Sequence, residues 1–364
     1  MKRVLFITNY PSPYRVRFFD GLGEHLDVTV AFSDRVEEKT TRAAQWFEDS
    51  QGHFHMVQLK KRAATVGGRD LCLDVTQWIR KDFDAIVVCG YSSPTAMLAM
   101  LYMRFHRIPF YMEVDGGLIR HDSKLKYLFK KFLVTLPNAW ISSGKHTTRY
   151  LVHYGAKEEN IHYYPFTSLW AEDIAHRIPS PEEKQQLRRE LGMTEEKILI
   201  SVSRFIPSKR LDMLIHSAAE LGENVGVYLI GGEPTEEYRA LKDKLSAENV
   251  HFVGFTKKDR LALYYQAADL FALPTQTDVW GLVINEAMAC GLPVITTDRC
   301  VAGLELIQDG VNGYLIPKDD QLALNEKIQM LLSSDYRKMG EAALETIRPY
   351  TLENMVKAHL EIFT

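Results

Sequence analysis

Short apolar, β-branched runs alternate with amphipathic stretches along the whole chain, and no other feature narrows the possible folds as much. The first half holds RVLFIT from Arg3, DVTVAF from Asp27, AIVVCG from Ala85, PFYMEV from Pro109 and AWISSG from Ala139. The second half repeats the pattern with KILISVS from Lys197, VGVYLIGG from Val225, VHFVGF from Val250, LFALP from Leu270 and LPVITT from Leu292. Strand-sized runs separated by helix-sized stretches make βαβ units and parallel sheets. A chain of 364 residues is too long for one small module, so two doubly wound α/β sheets in tandem are the economical reading. The seam is expected between residues 161–166 and 178–184, where Pro179-Ser180-Pro181 breaks the periodicity ahead of an acidic helix start. That gives domains at 1–170 and 171–348. After LPVITT three helical stretches are expected, and the last, in 349–364, has apolar residues at helical spacing that need another surface. It is expected to pack back on the N-terminal domain.

Composition then removes several classes. Hydrophobic residues make up 46% and charged residues 25%, enough to build a large core and too apolar for a disordered chain. The four cysteines, Cys72, Cys89, Cys290 and Cys300, show no paired spacing for disulfides or zinc, which suits a reducing compartment. The start MKRVLFITNYP has only five apolar residues, too few for a secretory segment. The stretch PTAMLAMLYM is about half the length a membrane span needs. A cytoplasmic location is expected, with room for peripheral contact at the inner face of the plasma membrane. The net charge of −3 hides an asymmetry. Residues 1–170 carry 23 Lys and Arg against 17 Asp and Glu, and the remainder 21 against 30. Only the first half suits an anionic partner, and the whole does not suit nucleic acid.

Ligands of open α/β sheets bind at the carboxyl ends of strands, so the residues just past each run are where chemistry is sought. After KILISVS come Arg204 and Lys209 in a strand-to-helix turn, able to converge with a helix N-terminus on a diphosphate. Two solvated loop cations are the plainer alternative. After LFALP comes TDVWGLVINEAMACGLP, in which Asp278 lies in a loop and Glu286 about a turn and a half into a helix opened by Trp280-Gly281. Gly281 lets a ligand approach the backbone, and the amides of Leu282 and Val283 lack helical acceptors. An ordinary acidic helix start explains Asp278. It does not explain Glu286 inside the apolar run LVINEAMA.

Asp278 to Glu286 resembles the E-x7-E segment of retaining family 4 glycosyltransferases of the GT-B fold, with Asp in place of the first Glu, one methylene shorter. Arg204 and Lys209 resemble that family's diphosphate-binding pair, and SVSRFIPSKRLDMLI, VYLIGG, VHFVGF and DVWGLVINEAMACGLPVITTD follow the family's order along nearly the whole chain. The resemblance implies two Rossmann-like domains facing each other across a cleft. It implies a metal-independent, hexosyltransferase-type enzyme (EC 2.4) that needs no cofactor beyond its nucleotide-sugar co-substrate. The sugar would pass with retention from a nucleotide diphosphate donor, a UDP-sugar first, to a hydroxyl of a glycan or lipid-linked acceptor. TNYPSPYRVRFF and WISSGKHTTRYLVHYGA resemble bacterial enzymes of surface polysaccharide assembly. Carried over by residue, Arg204 and Lys209 would neutralise the diphosphate, with Ser203 beside them on the donor side. Glu286 would accept from ribose hydroxyls, and Asp278 with the backbone of Trp280, Gly281, Leu282 and Val283 would hold sugar and phosphate. The base would lie against Val253, Gly254 and Phe255. Gly231 and Gly232 fit either close backbone approach or a plain turn.

The first half would supply the acceptor side. The loop of residues 9–15 is placed to line it, and Glu113 and Asp115 sit beside two glycines where many family members have a histidine. Either carboxylate could orient or deprotonate an acceptor hydroxyl, Glu113 first. A cap or turn role competes equally. Residues 120–132, RHDSKLKYLFKKF, interleave cations with Tyr127, Leu128, Phe129 and Phe132, as a helix lying on an anionic bilayer would. The alternative is a stripe packed on its own sheet with solvated lysines. Asp82 and Asp84 precede their strand, the wrong end for a metal-bound nucleotide. His53 and His55 would share one face of a strand but lack a third ligand. No G-x-G-x-x-G follows the first strand, and the cysteines have no neighbouring base. Two rivals remain: a nucleotide-sugar 2-epimerase, and a non-catalytic partner subunit of the same fold.

Overall fold

The computed structural model describes residues 1–34 and 52–363, and the chain divides into two units, Met1–Thr167 with Tyr350–Thr364, and Ser168–Pro349. In the first unit the apolar runs become β1 (Arg3–Thr8), β2 (Asp27–Phe32), β6 (Ala85–Cys89), β7 (Tyr111–Val114) and β8 (Ala139–Ser142). Sequence reading missed β9 (Ile161–Tyr163) and the hairpin β4 (Arg62–Val66) with β5 (Arg69–Cys72), and of β3 (His55–Gln58) it anticipated only a strand at His53 and His55. β3, β4 and β9 are exposed or partly exposed and lack the buried alternation that marks a strand, and β5 alternates over only four residues. His55 opens β3 while His53 precedes it, so the two do not share a strand face as expected.

The seven strands pair in parallel in the order β3-β2-β1-β6-β7-β8-β9. The order reverses between β1 and β6, which opens a crevice at their carboxyl ends. Valine, isoleucine and phenylalanine fill the central strands because both faces are covered, leaving Val4, Leu5, Phe6, Val87 and Val88 fully buried. One face is covered by the helix Pro13–Gly23 and by the C-terminal helix Leu352–Phe363, which packs against it. That last helix buries Leu352, Met355, His359 and Phe363, and the Phe363 carbonyl accepts from Lys2 Nζ at 2.8 Å. Asp84 accepts from the Arg3 amide and Asp82 pairs with Arg3 and Arg80, so both acids of that stretch brace the start of the sheet.

The second unit holds β10 (Lys197–Val202), β11 (Val225–Ile230), β12 (Val250–Val253), β13 (Leu270–Leu273), β14 (Val294–Thr297) and β15 (Gly313–Ile316). They pair in parallel in the order β12-β11-β10-β13-β14-β15. β15 is a four-residue edge strand past the last one expected, half of it partly exposed. The helix Pro181–Leu191 is opened by Ser180 and Glu183 in a reciprocal capping box with Pro181 at its first position. Asp269, ahead of β13, takes the cations of Lys184 and Arg188 from that helix and donation from the Ile198 amide. The chain order again reverses between β10 and β13. No helix among the described residues is long and apolar enough to cross a membrane.

Candidate functional site

In the second unit the loops that follow β10 and β13 meet at the point where strand order reverses. The β10 strand runs into Ser203, whose amide donates to Ile230 O at 2.9 Å, and then into the short turn Pro207–Lys209. Ser208 O accepts from the Gln276 amide at 2.8 Å and from Thr275 Oγ1 at 3.0 Å. Those two bonds lash the turn to the β13 loop. They bring Lys209 Nζ onto Asp278 Oδ2 in a largely buried ion pair. Arg204 stays exposed at the rim.

The Asp278 loop is held on its other side by the strand-like pairing of Asp278 with Cys300. The Asp278 amide donates to Arg299 O at 2.9 Å, and Cys300 Sγ lies 3.1 Å from Trp280 O. Trp280 is buried and its Nε1 donates to Asn285 Oδ1 at 2.8 Å, fixing the first turn of the helix Leu282–Ala289 from behind. Gly281 caps that helix at φ +99°, and a Cβ there would stand 2.7 Å from Cys300 Sγ. Both the left-handed backbone and the contact require glycine. The helix therefore begins with the half-buried Leu282 and Val283 amides pointing out of its N-terminus, where an anion is favoured.

Glu286 lies one turn further in. Tyr265 Oη donates to its Oε2 at 3.1 Å and Ser168 Oγ to its Oε1 at 3.4 Å. Burial raises its pKa despite those two donors. Tyr265 and Ser168 were not singled out from sequence, because neither has a local pattern that points to residue 286. At the end of β12, Val253 is half-buried, Gly254 has open space about its Cα, and Phe255 is 57% exposed. Gly231, at φ +147°, has a structural cause: a Cβ there would fall 1.9 Å from Ser203 O. Gly232, at φ +144°, has nothing within 4 Å of such an atom.

In the first unit, Glu113 and Asp115 come together with a residue that sequence reading had only placed in a lining loop. Arg15 Nη1 donates to Glu113 Oε1 at 2.7 Å and Nη2 to Asp115 Oδ1 at 2.6 Å. The Glu113 side chain is fully buried and Cys89 Sγ reaches its other oxygen. Burial is the largest influence and works to raise its pKa, but the Arg15 charge, joined by His359 and by the hydrogen bonds from Arg15 and Cys89, holds it below the usual carboxylate value. Asp115 keeps 26% of its side-chain exposure and also accepts from Tyr164 Oη at 2.9 Å. Burial raises its pKa, opposed by Arg15 and reinforced by the Glu113 charge. Of the two carboxylates, Glu113 is sealed from solvent while Asp115 keeps an exposed edge. Nearby, burial lowers the pKa of His359, whose ring lies against Phe18 and Tyr164. Among the described residues, no group of three or more His, Cys, Asp or Glu is placed to hold a metal ion.

Residues 183–346 match the family model for glycosyl transferases group 1. N-acetyl-alpha-D-glucosaminyl L-malate synthase of Bacillus anthracis is 32% identical over 199 residues, 52% of this chain and 51% of that protein. D-inositol 3-phosphate glycosyltransferase of Xylanimonas cellulosilytica is 29% identical over 243 residues, 64% of this chain and 58% of that protein. The chain thus spans little more than half the length of these curated relatives. The crystal structure of Anabaena Alr3699/HepE in complex with UDP and glucose superposes over 100% of this chain and 99% of that one, at TM-score 0.77 and 19% identity.

Proposed function

From a chain that has the GT-B fold and carries a group 1 glycosyl transferase segment in its second unit, we propose a glycosyltransferase that takes a sugar from a nucleotide diphosphate donor, a UDP-sugar first, and passes it with retention to a hydroxyl of a glycan or lipid-linked acceptor in bacterial polysaccharide or glycoconjugate assembly. The observation that carries this is the convergence of Lys209, Asp278 and the Leu282 and Val283 amides at the strand-order reversal. UDP and glucose in the Anabaena structure favour the uridine donor.

With a donor bound, Lys209 and Arg204 would face the diphosphate and the two helix amides would take its oxygens. Charge builds there as the bond between sugar and phosphate breaks, and preset donors stabilise it without reorganising. Asp278, held by Lys209, is oriented to accept from sugar hydroxyls. Glu286 accepts from ribose, and Phe255 offers its exposed ring to the base. Asp115 orients the acceptor hydroxyl, whose proton passes to the departing phosphate oxygen as the new glycosidic bond forms. The reaction as proposed uses no metal and no cofactor. Its remaining partner would be an anionic membrane surface met by residues 120–132, at the inner face of the plasma membrane.

Replacing Arg204 and Lys209 with Ala is expected to lower turnover by about a hundredfold or more in a protein that still folds, with some loss of melting temperature from the broken Lys209–Asp278 pair. A thermal-shift panel of UDP, GDP and ADP sugars should show stabilisation by one base, lost in the double variant. An unchanged rate would favour a non-catalytic subunit. A new sugar nucleotide formed from donor alone would favour the 2-epimerase.

A further inference from the structure

The helices of three successive crossovers of the first unit carry no acid. The helices Pro94–Phe105, Lys124–Val134 and Lys145–His153 hold seven Lys and Arg and no Asp or Glu. They join β6 to β7, β7 to β8 and β8 to β9, each pair adjacent in the sheet and taken in one direction. Right-handed crossovers then lay all three side by side on one face. The contacts agree. Tyr127 Oη donates to His153 O at 3.2 Å and its ring packs on Tyr154, while Met100, Met103, Leu133 and Val134 share one core cluster.

The outer side of this layer is apolar along its middle. Leu125, Leu128, Phe129 and Phe132 are 81, 49, 52 and 50% exposed and stand at i, i+3, i+4 and i+7, a single stripe. The stripe does not pack on its own sheet, the plainer of the two readings made from sequence; Leu133 and Val134 do that. The neighbouring helix adds Leu101 and Phe105, the latter 84% exposed. At about 100° per residue, Lys124 and Lys131 flank the stripe on one side and Lys126 on the other. Asp122, in the loop ahead of the middle helix, pairs with both Lys126 and Lys130. Arg104, Lys124, Lys131 and Arg149 have no acid partner among the described residues.

We propose that this three-helix face seats the protein in the plane of an anionic phospholipid bilayer, with the Leu125 to Phe132 stripe and Phe105 in the interface and the flanking cations on the head groups. Leucine and phenylalanine beside unpaired lysine and arginine match acyl chains below negative phosphates. A second copy of the chain fits less well, since a two-fold contact would set the flanking cations of these helices against themselves. The inference enlarges the membrane contact of residues 120–132 in the reading above. It rests on that reading only for its purpose, because lipid binding is measured without turnover.

Flotation of the full chain with vesicles of phosphatidylcholine, with and without phosphatidylserine, tests it. Binding is expected only where phosphatidylserine is present and should weaken with salt. Phe129→Glu combined with Phe132→Glu should lower the bound fraction about tenfold or more. Lys124→Ala with Lys131→Ala should lower it severalfold, and both variants should keep the wild-type melting temperature and donor-dependent thermal shift. Equal binding to neutral vesicles, binding to neither, or a dimer in light scattering that the Phe variant dissolves would overturn the proposal. A loss of donor binding with vesicle binding intact would instead count against the enzyme reading alone.

Discussion

Glu286 shows how a side chain can be placed for a ligand at some expense to the free fold. Burial raises its pKa, so the folded protein holds this proton more tightly than the unfolded chain. Its contribution to stability is complete below the unfolded pKa and falls away as pH rises through the folded one. Ionisation of the group therefore weighs against the fold, offset in part by Tyr265 and Ser168. Glu286→Gln is expected to leave the melting temperature equal or raised at pH 8 while weakening the donor. Loss of hydrogen bonds to a charged acceptor, about 1.5–3 kcal/mol, is roughly ten- to a hundredfold in donor KM. Calorimetry beside donor titration checks both halves, and a lowered melting temperature with unchanged donor KM would make Glu286 a structural acid. Glu113 is the opposite case, an acid held low by Arg15 and sealed from solvent.

At the scale of elements, the helix Leu282–Ala289 presents usable amides because its start is pinned from three sides. Gly281 supplies the left-handed turn, Trp280 braces it from beneath, and the Cys300 segment bonds the loop ahead of it. Gly281→Ala forces a Cβ onto Cys300 Sγ at a φ that alanine disfavours, at a cost of about 1–3 kcal/mol. Donor affinity should fall with stability, because the amides move when the cap moves. Adding Cys300→Ala relieves the contact and not the φ, so the double variant should recover part of the stability and little of the affinity. Full recovery of affinity would assign the glycine to packing alone. The Asp278 and Glu286 spacing was legible from sequence because a loop and one helix carry both. Tyr265 and Ser168 reach Glu286 from distant elements, and no local period marks them.

The whole molecule closes its first unit with its last residues. Leu352, Met355, Val356 and Phe363 bury against elements more than two hundred residues earlier in the chain. Each buried side chain of this kind contributes about 1.5–3 kcal/mol, so together they approach the total stability of an ordinary domain. Truncation after Pro349 is expected to unfold the first unit while the second keeps a cooperative melt and its donor-dependent shift. Limited proteolysis with calorimetry reads the two apart, and a first unit that melts unchanged would show the helix to be dispensable.

The alternation of buried β-branched runs with amphipathic stretches determined the two doubly wound sheets, and short motif spacings marked Arg204, Lys209, Asp278 and Glu286, since each signal is contained within a single strand, turn or helix. Other features exist only once distant segments meet. Arg15 finds Glu113 and Asp115 about a hundred residues away, Lys209 finds Asp278, and crossover handedness turns three acid-free helices outward on one face. Pairing and burial depend on which partner arrives from elsewhere in the chain, and it is the tertiary structure that selects the partner.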